Sequence, residues 1–340
     1  MEVALNILPD AGLEAAVDWW KLADAAGVKA IAIPDSPVLL PELYVSCTLC
    51  AEQTSNSVIM TGVTNPVSRD PSVTASAMFA LHCIAPGRVA LGIATGDSAL
   101  WAVGRSSAKL ERLQEYVLAV RALLAGKEAI YEGRSIRPHW DLDTDIEIPI
   151  YLAVAGPKAL RMGASIADGL IVSMGYAREN IDSVHRLVAE GCADVDRDPE
   201  ELELWWNSEM VFAATVELAK ARSMGVTVAW LTMGTMEGKG IPDQHKDALL
   251  EFAADTHDLD SSYVHADREL DLIDRAKALG LYDWLMSRAP GFWGTPADIA
   301  ARLREFDAEG MTNWMFYVGR GGDDRREHIR LICDEVMPLL

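Results

Sequence analysis

The sequence predicts an α/β fold, a (β/α)8 barrel, and three observations lead there. Short apolar runs alternate with helical spacings through residues 1–175. Those runs are apolar throughout instead of at every second position, as in strands buried on both faces of a parallel sheet. No linker rich in Pro, Gly or Ser divides the 340 residues, and α/β barrels reach that length as one domain. The expected organisation is one barrel over residues 1–340, with a two-domain Rossmann enzyme as the alternative.

The elements follow in order. Val3–Leu8 reads as the first strand. Leu13, Ala16, Val17, Trp20 and Ala23 then recur at the spacing of one helix face, and Gly27 closes that helix. Val28–Ile33 is a second strand, stopped by Pro34-Asp35-Ser36-Pro37, and Leu43 to Gln53 a helix. Ser57–Thr64 and Arg88–Ala94 are the next strands, with an alanine-rich helix over about 72–85 between them. Leu110, Leu113, Val117, Val120 and Leu124 mark a longer helix. Ile148–Ala155 and Gly169–Ser173 are strands five and six, joined by a helix from Lys158 to Ala167. Such helices supply the right-handed crossovers that parallel strands require.

The second half is less regular. Leu202–Trp206 and Val226–Leu231 read as strands. Residues 234–289 are polar, carry helical stretches and are too long for a βα loop, so they read as an insertion or lid over the C-terminal face. Thr295-Pro296 starts a helix with proline at its first position. Trp314–Val318 is the last strand and Arg325–Met337 the closing helix.

A formal net charge of −21 leaves no basic surface for nucleic acid or for an anionic membrane. No stretch of about 18 apolar residues exists to span a bilayer. The N-terminus has no basic, apolar and cleavable succession, and five cysteines without a framework fit a reducing compartment, so a cytoplasmic protein is expected. Cys47 and Cys50 form a CxxC inside a predicted helix, where core packing outweighs a redox or metal role. Asp141, Asp143 and Asp145 begin like a calcium loop but lack its glycine and final glutamate. No HExxH or paired-cysteine site exists, and no metal is expected.

Barrel active sites gather at the C-terminal ends of the strands, and four such ends stand out. Thr61-Gly62-Val63-Thr64-Asn65-Pro66 is small and polar enough to take a planar ring against its backbone, although it also reads as a capped strand–helix junction. Gly92-Ile93-Ala94-Thr95-Gly96-Asp97-Ser98 is a glycine-bearing exit that can offer N–H groups to an anion. No GxGxxG follows strand one. At Ala155-Gly156-Pro157-Lys158 a strand gives way directly to a helix N-terminus, which suits a phosphate or an ordinary turn with a good N1 proline. Ser173-Met174-Gly175-Tyr176 ends strand six.

The stretches TGVTNPVSRDPSVTA (61–75), GRVALGIATGDS (87–98) and YLAVAGPKALRMGASIADGLIVS (151–173) together resemble the luciferase-like monooxygenase superfamily, and most the branch containing methylenetetrahydromethanopterin reductase. The match resumes at Gly294-Thr295-Pro296 and Trp314–Val318. The resemblance implies a barrel of the bacterial-luciferase type holding FMN or a deazaflavin (coenzyme F420) at the C-terminal ends of its strands. It implies a cis Gly62–Val63 peptide behind the ring, with Thr64 and Asn65 beside it. It also implies phosphate binding at Ala155, Gly156, Pro157 and Lys158 and at Ser173, Met174 and Gly175, and a ribityl neighbour at Gly96 and Asp97. The glycine cluster Gly319-Arg320-Gly321-Gly322 is then a turn. Many deazaflavin members carry Asp-His after strand two; here it is Asp35-Ser36.

A flavin brings its own redox chemistry and asks the protein for orientation and dryness. Asn6, Asp35 and Arg288 are the candidate catalytic residues: Asn6 for a hydrogen bond to ring or substrate, Arg288 for an anionic substrate under a lid with Gly291-Phe292-Trp293-Gly294. Trp205, Trp206 and Asn207 end another strand, where tryptophans more often pack the core. His139 and Trp140 read as surface, and His245, His257 and His265 fall in the insertion. The missing histidine favours an FMN-dependent monooxygenase, supplied with reduced flavin by a partner reductase and acting with oxygen on a small organic substrate. A deazaflavin-dependent hydride-transfer enzyme and a non-catalytic flavin-binding protein are the alternatives. A homodimer is the expected assembly.

Overall fold

In a computed structural model the strands close into a ring. The structure describes residues 1–140, 147–213, 215, 218–219, 224–232, 235–256, 269–288, 291–318 and 322–340. The strands are β1 (Glu2–Asn6), β2 (Ala30–Ile33), β3 (Val58–Thr61), β4 (Val89–Ile93), β5 (Ala129–Tyr131), β6 (Arg134–Ile136), β7 (Ile150–Val154), β8 (Gly169–Val172), β9 (Glu203–Phe212), β10 (Phe292–Gly294) and β11 (Asn313–Tyr317). The order β1-β2-β3-β4-β7-β8-β9-β11 is parallel throughout, and β11 returns to β1. That is the eight-stranded barrel the sequence predicts. β5 and β6 form a separate antiparallel hairpin.

Local chemistry explains the helices. Ala16, Trp19, Trp20 and Ala23 bury one face of Leu13–Ala25, and Gly27 follows at φ 82°. Pro71–Ile84 starts on its proline with Asp70 capping Ser72 N–H. Thr295 and Asp298 form a capping box at the head of Pro296–Ala308. The residues of each strand that face outward join the helices in one large core, while Ala4, Ala30, Ala32, Met60, Ala90, Tyr151, Ile171, Trp205 and Met315 fill the barrel interior. Trp206 faces the other way from Trp205 and packs with Trp314 and Tyr176, and Trp314 in turn packs on Phe292. Cys47 and Cys50 are both buried thiols. No described helix is long and apolar enough to cross a membrane.

Three expectations are corrected. Val226–Leu231 is not a strand but part of the helix Met224–Thr232. Its β-branched run favours a strand locally, yet Met224, Val228 and Leu231 share a helical face and pack with Leu249, Phe252, Ala276, Leu281 and Leu285. This cluster gathers the helices Asp243–Thr256, Glu269–Ala278 and Tyr282–Arg288 of the predicted insertion. The seventh barrel strand is therefore β9, which runs six residues past Trp206 to Phe212. The third correction concerns Phe292–Gly294, which is no lid: it pairs in parallel with Met210–Phe212 as a ninth strand.

At the opposite, N-terminal face the first helix is tied to β3. The Asp24 carboxylate accepts the N–H groups of Ser55 (3.0 Å), Asn56 (2.9 Å) and Ser57 (2.7 Å). Burial alone would raise its pKa, but these donors prevail and hold it below the usual value of 3.8. A depressed folded pKa means stabilisation that is full above the unfolded value and fades as pH falls through the folded one. Asp24→Ala should therefore lower the unfolding free energy by about 2–3 kcal/mol at neutral pH. In urea titrations the gap to the parent chain should close as the pH falls below 3.8.

Candidate active site at the barrel mouth

Alternation along each strand sends every second residue inward. At the C-terminal ends of β2, β3, β4 and β7 those residues are Ala32, Gly62, Gly92, Ala94 and Ala153. Four neighbouring strands thus present almost no side chain. Glycine is required at two of these positions. A Cβ on Gly62 would lie 2.6 Å from the Ala32 methyl, and one on Gly92 would lie 2.2 Å from the Thr61 carbonyl oxygen. The small Ala32 lets Asn6 reach across β2 and donate its Nδ2 to Gly62 O at 2.7 Å. The Gly62–Val63 peptide is cis, as the resemblance implied. Beyond it Thr64 returns to β4 through Thr64 N–H to Gly92 O and Ala94 N–H to Thr64 O, each 3.0 Å. Val63 packs against the barrel-interior cluster.

Behind this wall lies an ion pair. Asp35, 1% exposed, accepts from Thr64 Oγ1 (2.7 Å) and from Arg69 Nη1 (2.5 Å) and Nη2 (3.3 Å). Arg69 also reaches Glu42 at 2.8 Å and lies 5.1 Å from the Tyr44 ring centroid. Burial disfavours the guanidinium charge, but the Asp35 carboxylate outweighs it and raises the pKa. Asp35 is thus placed to hold the loops after β2 and β3 together, with both oxygens engaged by protein donors. Ser36 lies within 3.0 Å of the Ser98 hydroxyl, bridging the loops of β2 and β4. Asn65 holds its own loop through Val67 and Ser68 N–H, while its buried Nδ2 finds no acceptor among the described residues. Asp97 caps Ser98 N–H at 2.5 Å, and Gly96, at φ 94°, packs against Asn65 and Leu100.

The anticipated phosphate seat is a helix N-terminus at the same end. Gly156 is the N-cap of Pro157–Ile166, and no side chain caps that helix. Lys158 is exposed beside Ala155, Gly156 and Pro157. Across from it Ser173 receives Asn207 Nδ2 at 3.1 Å, Met174 is buried with its carbonyl accepting Asn180 Nδ2 at 2.6 Å, and Gly175 sits at φ 76°. Residues 235–238 lie over the seat. A Cβ on Gly156 would meet the Thr235 methyl at 2.9 Å, and one on Gly238 would meet Met174 and Pro157 at 3.3 Å. Lys239, which follows, is buried, and burial lowers its pKa to about 8.

Arg288 is placed outside this group. It pairs with Glu179 (3.3 Å) and donates to Gly240 O (3.1 Å), joining the insertion to the helix Arg178–Ala193. His245 stacks on Trp284 within the insertion, and Trp140 stacks on Phe79. Asp141, Asp143, Asp145, His257, His265 and Gly319-Arg320-Gly321 lie outside the described residues. Among the described residues no three His, Cys, Asp or Glu side chains group as a metal site. Two mouth residues were missed in the sequence, Glu209 and Tyr317. Had β9 been extended, the alternation Trp205, Asn207, Glu209 would have found the first.

The luciferase-like monooxygenase family model matches residues 2–313 of this chain. The chain is similar to a 5,10-methylenetetrahydromethanopterin reductase of Methanolobus tindarius, 27% identical over 99% of this chain and 100% of the relative. An F420-dependent glucose-6-phosphate dehydrogenase of Beutenbergia cavernae is 28% identical over 75% and 80%. Among solved structures, the coenzyme F420-dependent tetrahydromethanopterin reductase of Methanopyrus kandleri superposes with a TM-score of 0.72 at 23% identity, covering 99% and 98% of the two chains. A monooxygenase of Streptomyces bottropensis gives 0.63 at 18%, over 99% of each. At these identities the two structures establish the shared barrel.

Arg69 and Asp35 are one buried pair, so removing one partner strands the other. Arg69→Ala should cost about 3–5 kcal/mol in a urea unfolding curve. Glu42→Ala, at the exposed end of the same network, should cost less than about 1 kcal/mol.

Proposed function

The chain belongs to the luciferase-like monooxygenase family, and from that premise we propose that it is an oxidoreductase that transfers hydride with the deazaflavin coenzyme F420. The observation that carries this reading is the flat wall of small residues beside an uncapped helix N-terminus. A planar ring fits against Ala32, Gly62, Val63, Gly92 and Ala94, and a Cβ added at Gly62 or Gly92 would collide with its neighbours. An anionic tail fits the first-turn N–H groups after Gly156, with the dipole of Pro157–Ile166 and Lys158 as counter-charge. Ser173, Met174 and Gly175 form the facing side.

The choice of F420 over FMN follows the relatives, whose names include an F420-dependent dehydrogenase at 28% identity. A deazaflavin supplies hydride transfer without an oxygen step. This chain's residues then have limited tasks. Asn6 fixes the Gly62 carbonyl, the Asp35–Arg69 pair holds the loops behind the wall, and Ser36, at the position where the resemblance implies histidine, pairs with Ser98. The serine at position 36 offers no imidazole to move a proton. The FMN-dependent monooxygenase with a partner reductase is the second reading, and that same serine at position 36 favours it.

Anaerobic titration with oxidised F420 and with FMN, read by coenzyme fluorescence, tests the choice. F420 should bind at least about tenfold more tightly, a difference of about 1.4 kcal/mol. A preference for FMN would return the monooxygenase to first place, and binding of neither would remove both. Lys158→Ala, at an exposed position, should weaken F420 binding about threefold at low salt and progressively less as salt is added.

A further inference from the structure

At the mouth the chain's polar residues gather on the side away from the small wall. Tyr317 pairs in register with Asn6 on one side and with Glu209 on the other. Alternation turns all three inward, since Trp205 on β9 and Met315 on β11 already lie in the barrel interior. All three are half-buried. With neighbouring strands about 4.8 Å apart, the row spans roughly 10 Å, the width of one small ring.

The row is rich in acceptors. The Asn6 amide is oriented by its hydrogen bond to Gly62 O, which turns Oδ1 away from β3. That oxygen is buried and meets no donor among the described residues. A buried acceptor left unmet is costly, so it points to a donor brought by a ligand. Glu209 contributes a carboxylate at the far end. Its Cγ lies 3.1 Å from where a Gly291 Cβ would sit, and the Trp293 Nε1 lies 3.3 Å from the same point. Glycine at 291 therefore leaves room for a carboxylate and an indole side by side, an acceptor beside an apolar platform.

We propose that Asn6, Tyr317 and Glu209 form the substrate-recognition row, and that it takes a compact alcohol whose hydroxyl donates to Asn6 or Glu209. The proposal rests on the hydride-transfer reading for its reaction, since an alcohol is the reduced partner of such a transfer, but its binding preference can be read without coenzyme. The row holds no cation, so anionic substrates are disfavoured at it.

The test uses the full chain, with and without F420, and four probes on one carbon frame: cyclohexanol, cyclohexanone, cyclohexylammonium and cyclohexanecarboxylate. Binding is read by saturation-transfer NMR and by tryptophan fluorescence. Cyclohexanol should bind more tightly than cyclohexanone, which lacks a donor, and more tightly than the carboxylate. Of Asn6→Ala and Glu209→Gln, the one that alters the side chain receiving the hydroxyl should weaken cyclohexanol about threefold to tenfold, the range of one weakened or lost hydrogen bond, and both should leave cyclohexanone within about twofold. Glu209→Gln keeps the shape of the side chain, so it carries the test if Asn6→Ala does not fold. Tighter binding of the ketone, the ammonium or the carboxylate overturns the alcohol assignment. Unchanged cyclohexanol binding in both variants overturns the row. Failure to bind F420 with the alcohol preference intact would remove the hydride-transfer reading and leave the row standing.

Discussion

A parallel barrel delivers every second residue of every strand to its mouth, and that alternation is the constraint from which the site is built. The cross-section is fixed by eight strands, so side-chain size alone decides where the mouth is open. Ala32, Gly62, Gly92, Ala94 and Ala153 clear one side, while Asn6, Ser173, Asn207, Glu209 and Tyr317 line the other. The clearing is coupled across strands. Gly62 must lack a side chain because Ala32 already occupies the space, and Asn6 reaches Gly62 only because Ala32 is short. Enlarging Gly62 would press on Ala32 and Asn6, and enlarging Gly92 on Thr61 and Val63.

A wall of small residues has little packing of its own to hold it in place, and the charged groups behind it supply the rigidity. Asp35 binds Thr64 directly and Arg69 through two nitrogens, which pins the segment after the cis peptide to the loop of β2. This geometry assigns Asp35 to positioning, since no lone carboxylate oxygen remains turned to the mouth. Buried pairs of this kind give modest net stability but tolerate few alternative arrangements. The Ser36–Ser98 contact repeats the pattern with neutral groups across the loops of β2 and β4, while Asn65 braces its own loop.

What was legible in the sequence was what depends on neighbours along the chain. Proline at the head of two helices, the alternation of apolar runs with helical spacing, and the glycine after Ala25-Ala26 are all local signals, and the structure follows them. Val226–Leu231 misled because its β-branched residues carry a local preference that a helical face packed on Leu249, Phe252 and Leu285 overrides. The end of β9 was missed because its last residues are held by β10 and β11, 80 and more positions away. The same holds for the Asp35–Arg69 pair and for the Glu209–Tyr317–Asn6 row. Register between strands is a property of barrel closure and leaves no mark in any single segment.

The insertion shows how the two kinds of information meet. Its composition already set residues 234–289 apart, and the helices there share one separate cluster with Met224–Thr232, so the structural unit begins before the polar stretch does. Its first described residues touch Gly156, Pro157 and Met174, so the space above the seat is bounded by the Thr235 methyl and the turn at Gly238. The Arg288 contacts to Glu179 and Gly240 O, by contrast, are at the surface, where an ion pair contributes no more than about 1 kcal/mol. Among the described residues, then, this part of the chain packs on a cluster of its own and bounds the helix N-terminus at Gly156 through Thr235 and Gly238. Arg288 joins that cluster to the helix Arg178–Ala193, and its guanidinium is spent on Glu179 and the Gly240 carbonyl and not on the mouth.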